Sequence, residues 1–170
     1  MSSIVFPVSK HFGGAAFEID TDKTRLDRAL IHGFLTGSRW ARGIPLPLVE
    51  RAIENSLAFG LYREGRQVGF ARVVSDLATF AYLADVFVLP PERGQGLALW
   101  LVRTILAHPD LQGLRRWLLG TRNAHGLYRR CGFTEPSPPF AFLERHDAAV
   151  YDRPISGAKR RRLAEARPSY

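Results

Sequence analysis

The pattern of apolar and polar residues predicts a mixed α/β fold. Ala16 to Asp20 is typical of a short strand, and Leu26 to Leu35 has the apolar spacing of an amphipathic helix after a start that can cap it. A second helix is predicted from Pro47 to about Asn55, because proline suits the first turn of a helix. Leu57 to Arg63 and Gln67 to Ser75 flank a short glycine-containing turn and therefore predict a β-hairpin.

The centre of the chain combines an apolar strand, a turn with two glycines and an apolar helix. The strand FAYLADVFVLP begins at Phe80, the turn reads PERGQG, and the helix LALWLVRTIL extends from Leu97 to Leu106. A strand that is apolar on both faces is typical of a central strand covered by helices. The first amide groups of a helix attract anions, and Gly94 and Gly96 allow a close backbone approach beside the positive charge of Arg93. The turn is therefore a candidate binding site for a diphosphate group.

Two common phosphate-binding motifs do not match this turn. The lysine and hydroxyl residue that complete a P-loop are absent. A dinucleotide fingerprint also fails, because Leu99 stands at the third glycine position. A plain structural turn is the alternative that these residues leave open.

Asp85 is the one acidic residue within the strand that begins at Phe80. Strand alternation places it on the same face as Leu83 and Phe87, where an ionised carboxylate is costly unless it is paired or hydrated. Two interpretations follow: a polar cleft, or an ion pair with an arginine such as Arg72 on the neighbouring strand. In a cleft, Asp85 becomes a candidate general base for deprotonating an ammonium substrate.

The chain after the central helix predicts two further elements. Arg115 to Gly120 is typical of a strand, and Asn123 to Phe133 is predicted as a short helix that enters another strand. This second segment contains Leu127-Tyr128, followed after three residues by Gly132-Phe133.

Two of these elements resemble the GNAT superfamily of N-acetyltransferases. Arg93-x-x-Gly96-x-Ala98 is similar to the acetyl-CoA signature [QR]-x-x-G-x-[GA], and the Leu-Tyr-x-x-x-Gly-Phe element is similar to the tyrosine element that follows it in the family. The resemblance covers about Leu57 to Phe133. It implies an α/β (α+β) fold with a mixed, mostly antiparallel central sheet flanked by helices. It also implies a splayed pair of strands that receives the pantetheine arm of acetyl-CoA.

The resemblance further implies roles for individual residues. Tyr128 would be the general acid that protonates the departing CoA thiolate when an amine attacks the thioester directly; packing in the core is the alternative for this side chain. Asn123 would contact the co-substrate, although its spacing from Tyr128 is shorter than is common in the family. The acetyl-CoA site as a whole would comprise Phe87, Val88, Leu89, Arg93, Gly94, Gln95, Gly96, Leu97, Ala98 and Asn123.

The acceptor amine is expected to contact two loops. Arg39 and Trp40, with Ser38 and Arg42 beside them, suit a substrate that carries a carboxylate, such as an amino acid or its derivative. A free metabolite, a peptide N-terminus, a lysine side chain and an antibiotic all stay open as acceptors. Trp40 has a second interpretation, as an anchor in the core. Residues 136–140 form the second loop, before the predicted last strand.

Composition and length narrow the remaining classes. The 170-residue chain is 46% hydrophobic and has no apolar run of membrane-spanning length or export signal, which predicts one domain over residues 1–156 in the cytoplasm. Scattered histidines predict no metal site. Cys131 is interpreted as a packing residue rather than a nucleophile, because it lacks a paired base.

About half of the net charge of +8 lies in the tail, residues 157–170, which contains Lys159, Arg160, Arg161, Arg162 and Arg167 against Glu165. A disordered, solvated terminus is the favoured interpretation, and a salt-dependent contact with RNA is the alternative. A sensor that binds acyl-CoA without turnover and a homodimer are further hypotheses.

Overall fold

The computed structural model describes residues 5–136, 142–154, 157 and 161–162. The chain divides into two compact units, Met1–Leu26 with Asn55–Glu135 and Asp27–Glu54 with Pro136–Tyr170. The first unit contains the β-sheet. The second contains the helices between residues 28 and 54.

The strands of the first unit are β1 (Val8–Phe12), β2 (Ala15–Asp20), β3 (Leu57–Arg63), β4 (Arg66–Ser75), β5 (Phe80–Val88) and β6 (Arg116–Leu118). They form one sheet whose strand order follows the chain order. Neighbours from β1 to β5 are antiparallel, whereas β5 and β6 are parallel. The predicted mixed, mostly antiparallel sheet is therefore confirmed.

The helices are α1 (Arg28–Gly37), α2 (Leu46–Glu54), α3 (Leu97–Leu106) and α4 (His125–Arg129). The predicted bounds of α3 are confirmed. The predicted first helix begins two residues later than expected, because the Asp27 carboxylate accepts the Leu30 N–H and caps the helix there.

One face of the sheet forms the main core of the first unit with α3 and α4. Phe59 and Leu61 of β3 are fully buried there, as are Leu101 and Ile105 of α3. The four-residue spacing of the α3 side chains places them on one side of the helix, so that its apolar stripe lies against the sheet. This packing fixes the position of the turn that precedes α3.

Strand β5 extends well beyond its parallel partner. It pairs with β6 only from Phe80 to Tyr82, whereas its pairing with β4 continues to Val88. No strand in the described part of the chain pairs with this edge of β5 beyond Tyr82. This register agrees with the predicted splayed strand pair.

The two helices of the second unit are joined by side-chain contacts. His32 Nε2 of α1 is 3.0 Å from the carbonyl oxygen of Ile44, which lies just before α2. Arg28 of α1 donates to Glu54 of α2 at 2.8 Å. These contacts hold the two ends of the helix pair.

Three features of the fold differ from the prediction. Strand β1, with the sequence VSKHF, was not predicted. The predicted strand at Phe133 is wrong: residues 130–136 contain no strand, because Gly132 adopts a φ of 88° and ends the helical segment. Phe133 instead packs its ring against Trp117 and Tyr128 at centroid distances of 6.5 and 6.0 Å. Residues 142–147 contain no strand either.

Candidate functional site

The glycine turn, residues 90–96, connects the end of β5 with the start of α3. It opens with a 3₁₀ turn at Pro90–Glu92, and the Arg93 Nε donates to the Val88 carbonyl at 2.8 Å. Gly94 and Gly96 have φ angles of 83° and 86°, a region that strongly favours glycine. Gly96 is the N-cap of α3, so the first amides of that helix lie at the end of the turn.

Space beside the glycine turn is compatible with an anionic ligand. A Cβ atom at Gly94 would meet no atom within 4 Å, and one at Gly96 would come no closer than 3.9 Å, to Phe12. The Arg93 side chain is exposed at the same turn. The turn therefore offers an accessible backbone, the N-terminus of an α-helix and a nearby positive charge, which together fit a diphosphate.

A partly buried ion pair anchors the glycine turn to the sheet. Arg63 Nη1 of β3 lies 3.2 and 3.0 Å from the two carboxylate oxygens of Glu92, which is only 6% exposed. The Glu92 carbonyl in turn accepts a hydrogen bond from Gln95 Nε2 at 3.3 Å. The turn is held at both its 3₁₀ segment and its glycine segment.

The hairpin formed by β1 and β2 also contacts the start of α3. The Phe12 ring packs against Trp100 of α3 at a centroid distance of 5.3 Å. A Cβ at Gly13, in the hairpin turn, would lie 3.7 Å from the Gln95 side chain. Phe12, like Arg63 and Glu92, supports the candidate site and was not among its predicted residues.

The remaining predicted acetyl-CoA residues differ in accessibility. Phe87, Val88 and Leu97 are buried, so only their backbone is a candidate for ligand contact. The Leu89 N–H donates to the Val68 carbonyl at 2.8 Å and is thus engaged within the protein. Ala98 is half-buried in the first turn of α3.

Asp85 is paired with Arg72, which is the second of the two interpretations offered by the sequence. Arg72 Nε lies 2.5 Å from Asp85 Oδ2, and Arg72 Nη1 lies 3.3 Å from Ser56 Oγ. Asp85 has a φ of 53°, which is unusual for a residue other than glycine. The pairing between β4 and β5 is irregular at this point.

Tyr128 projects from α4 into the core of the first unit. Its side chain is largely buried, and that burial raises the pKa of the phenol above its ordinary value of 10.0. No residue in the described ranges hydrogen-bonds to its hydroxyl. A protonated phenol at neutral pH has the charge state that a general acid requires.

Asn123 is exposed in the segment between β6 and α4. The same segment is fixed by Thr121, whose Oγ1 accepts the Ala124 N–H at 3.1 Å. Asn123 and Tyr128 therefore belong to one short element that follows the end of the parallel strand pair.

Cys131 is half-buried, and burial raises the pKa of its thiol. A protonated thiol is a poor nucleophile, which supports a packing role for this side chain. It packs against the main core together with Leu127 and Phe133.

Arg39 and Trp40 belong to the second unit. Both are exposed, and the Trp40 ring lies 6.3 Å from that of Phe34. Trp40 is 55% exposed, so its interpretation as a core anchor is wrong. Residues 137–140 of the second predicted acceptor loop lie outside the described residues, as do Lys159, Arg160 and Arg167 of the basic tail.

Within 5–136, 142–154, 157 and 161–162, no group of three or more potential metal-binding side chains was found. No helix in those ranges has the length and apolar character needed to cross a membrane.

Comparisons with known proteins all identify the same family. The profile described as the acetyltransferase (GNAT) family matches residues 17–133. A candidate acetyltransferase from Gibberella zeae is 31% identical over 133 residues, which cover 65% of this chain and 74% of that protein.

Solved structures give the same result. The crystal structure of a candidate GNAT-family acetyltransferase from Xanthomonas campestris is 54% identical and has a TM-score of 0.77, with 81% of this chain and 97% of that chain covered. A candidate acetyltransferase from Clostridium acetobutylicum, solved with acetyl-CoA, has a TM-score of 0.57 at 13% identity. Its alignment covers 75% of this chain and 96% of that chain, and it supports the fold alone.

Proposed function

Because the chain belongs to the acetyltransferase (GNAT) family, we propose that it transfers the acetyl group of acetyl-CoA directly to a primary amine. The observation that carries this proposal is the glycine turn. Its two left-handed glycines, the open space at Gly94 and the N-terminus of α3 together suit the diphosphate of CoA. The turn lies at the end of β5, the strand whose outer edge is left without a strand partner beyond Tyr82 in the described part of the chain.

The proposal assigns the diphosphate to the backbone of Gly94, Gln95 and Gly96, with Arg93 as a nearby cation. The first amides of α3, at Leu97 and Ala98, add the partial positive charge of the helix. Asn123 is proposed to contact the pantetheine arm. The backbone of β5 before Leu89, around Phe87 and Val88, is proposed to donate to the acetyl carbonyl oxygen, where negative charge develops during attack.

The reaction proposed for this site is one direct displacement through a tetrahedral intermediate. The amine nitrogen forms a bond to the acetyl carbon, and the bond between that carbon and the CoA sulfur then breaks. Tyr128 is proposed to give its phenolic proton to the departing sulfur, and the substrate ammonium loses its excess protons to solvent. Cys131 takes no part, in keeping with its raised pKa.

The acceptor is proposed to be an amine that also carries a carboxylate. Arg39 and Trp40, both exposed, are the residues proposed to contact it. Release of CoA thiol in the presence of matched amines, with and without a carboxylate, would test this preference. Equal rates within each matched pair would contradict the carboxylate preference without affecting the acetyl-CoA site.

The proposed co-substrate site is tested by calorimetry with acetyl-CoA on three proteins: the parent, Gly94→Asp and Gly94→Asn. Asp and Asn have the same shape, and both tolerate a positive φ, so the two variants differ mainly in one negative charge. We expect the parent to bind. We expect Gly94→Asp to bind about tenfold or more weakly than Gly94→Asn, because two like charges a few ångströms apart repel each other.

Either of two results would overturn the assignment. A parent protein that does not bind acetyl-CoA would contradict the proposed function. Equal affinities of the Asp and Asn variants would place the phosphates away from Gly94.

A further inference from the structure

Strand β5 contains a bulge next to the Arg72–Asp85 ion pair. Phe70 of β4 is paired with Phe87, and Arg72 is paired with Ala84. One residue of β4 therefore lies opposite two residues of β5, which are Asp85 and Val86. A bulge of this kind bends a strand and changes the direction of the groups that follow it.

Asp85 has a backbone conformation that most side chains avoid. Its φ is 53°, in the left-handed region that glycine adopts easily and that Asp and Asn tolerate better than other residues. Such a conformation persists only where the surrounding structure holds it in place. Residue 85 is not a glycine, so the Asp85 side chain itself is a candidate for holding this backbone conformation in place.

The contacts of Asp85 account for how the bulge is held. Arg72 Nε lies 2.5 Å from Asp85 Oδ2, while Nη1 of the same guanidinium lies 3.3 Å from Ser56 Oγ. The Arg72 and Asp85 side chains are only 21% and 11% exposed, so water screens their attraction weakly. The guanidinium thus connects the bulge of β5 to β4 and to the residue that precedes β3.

The position of the bulge connects it with the proposed reaction. It lies three residues after Tyr82, where β5 and β6 stop pairing, and immediately before Phe87 and Val88. These are the residues whose backbone is proposed to contact the acetyl group. A change of the bulge would therefore change the direction of those backbone groups.

We infer that Asp85 is a positioning residue: its ion pair with Arg72 fixes the bulge that directs the β5 backbone toward the acetyl carbonyl. This inference rests on the proposed acetyl transfer. It differs from a role as general base, in which the carboxylate would accept a proton from the substrate amine. The hydrogen bond from Arg72 instead directs one carboxylate oxygen toward the guanidinium.

Three variants at this position separate the two roles. Asp85→Asn removes the basic carboxylate but tolerates the positive φ and can still accept a hydrogen bond from Arg72. Asp85→Gly removes the side chain but retains the freedom to adopt the bulge. Asp85→Ala cannot accept a hydrogen bond from Arg72 and also disfavours the positive φ. A general base is absent from all three variants, whereas a side-chain contact with Arg72 that can hold the bulge remains only in Asn.

The first readout is the ratio of the affinities for acetyl-CoA and CoA, measured by calorimetry, since these two probes differ only in the acetyl group. We expect Asn to retain the parent ratio within about threefold. Gly and Ala, which both lack the contact with Arg72, should lose about tenfold of it, the effect of one misplaced donor at a carbonyl. With an amine acceptor, kcat should follow the same order and KM for the amine should change little.

The second readout does not depend on acetyl-CoA. Hydrogen exchange of the peptide that covers residues 83–90 should be near the parent rate in the Asn variant and faster in Gly and Ala, because a bulge without its contact to Arg72 opens more often. A parent that fails to bind acetyl-CoA would contradict the proposed function, and the exchange order would still decide whether Asp85 holds the bulge.

Two results would overturn the inference. One is an Asn variant as impaired as Ala in kcat with an unchanged affinity ratio, which is the behaviour of a lost base. The other is a Gly or Ala variant with parent-like exchange and affinity ratio, which would show that the bulge does not need this side chain.

Discussion

The ring of Tyr62 lies over Gly60, its neighbour on the same face of β3. A Cβ atom at Gly60 would lie 2.3 Å from the Tyr62 hydroxyl oxygen and 2.6 Å from two ring carbons. The Arg25 guanidinium covers the ring at 4.5 Å from its centroid and is itself paired with Glu18 and Asp20, each at 2.5 Å. The ring is therefore confined between the strand backbone and a charged cluster, and Tyr62 is only 2% exposed.

Gly60→Ala should destabilise the protein by about 2 kcal/mol, because the added methyl group overlaps a ring that has no free space to move into. Urea unfolding at neutral pH measures the change. The matched control is Gly33→Ala in α1, where a Cβ would meet nothing within 4 Å. That control should stabilise the protein by about 0.5–1 kcal/mol, since alanine favours a helix interior over glycine.

Removing the Tyr62 ring tests whether that ring causes the loss of stability expected in Gly60→Ala. In a Tyr62→Ala background, Gly60→Ala should cost less than about 0.5 kcal/mol, since the overlapping atoms are gone. If the cost stays near its value in the parent, the Tyr62 ring is not the obstacle.

Arg63→Met should destabilise the glycine turn by leaving the buried Glu92 carboxylate without its partner. We expect a loss of about 2 kcal/mol in unfolding free energy, below the range for fully buried pairs because the Arg63 side chain is 38% exposed. The same change should weaken acetyl-CoA binding, because the 3₁₀ segment of the turn loses its anchor on β3. Urea unfolding and calorimetry measure the two effects.

Arg66→Met is the matched control, since Arg66 is an exposed arginine opposite Arg63 in the same hairpin. Arg66→Met should change neither the free energy of unfolding nor the affinity for acetyl-CoA much. In a Glu92→Gln background the cost of Arg63→Met should fall below about 1 kcal/mol, and an unchanged cost would exclude the ion pair as its origin.

The parts of the fold that local sequence determines were predicted well. The bounds of α3 follow from its apolar spacing and from the glycines before it, and both strands of the β3–β4 hairpin follow from the turn between them. The edge strand β1 was not predicted, because its middle residues are polar and exposed and carry little alternation.

Features that depend on distant pairing could not be read from the sequence in the same way. The contact of Glu92 with Arg63 joins residues 29 positions apart, and the bulge at Asp85 depends on the register of two strands. Regular alternation placed Asp85 on the face of Leu83 and Phe87, an inference that requires an unbroken strand. The ion pair with Arg72 was one of two interpretations, and only the register of β4 and β5 distinguishes them.

Tyr128→Phe should lower kcat for acetyl transfer about a hundredfold and leave the affinity for acetyl-CoA nearly unchanged. The hydroxyl is proposed to act only on the departing thiolate, and a loss of this size is typical of a missing general acid. The measurement combines thiol release in the presence of an accepted amine with calorimetry.

Tyr62→Phe provides a control for removing a buried phenol hydroxyl. The Tyr62 hydroxyl has no hydrogen-bond partner among the described residues, so its removal should not destabilise the protein. Turnover should remain at the parent level in this control. Parent-like kcat in Tyr128→Phe would remove Tyr128 from its proposed role.

His108 should make the protein less stable as the pH falls. It is 8% exposed, its ring lies 5.2 Å from that of Phe6 and 5.6 Å from that of Phe59, and this burial lowers its pKa below the ordinary value of 6.5. Asp110 opposes the shift in part. The unfolded chain therefore binds a proton more readily than the folded protein. The contribution of His108 to the free energy of unfolding is largest above about pH 6.5 and decreases as the pH falls below that value.

His108→Asn separates this effect from other acid-sensitive groups. Asn can replace the Nδ1 atom that accepts the Asp110 N–H at 3.2 Å, yet it does not titrate. Urea unfolding of both proteins at pH 7.5, 6.0 and 5.0 should show a smaller loss of stability in the variant over this interval. Because burial disfavours the charged imidazolium, the difference between the proteins should grow from pH 7.5 toward pH 5.0. Parallel pH profiles would contradict the assignment of this acid sensitivity to His108.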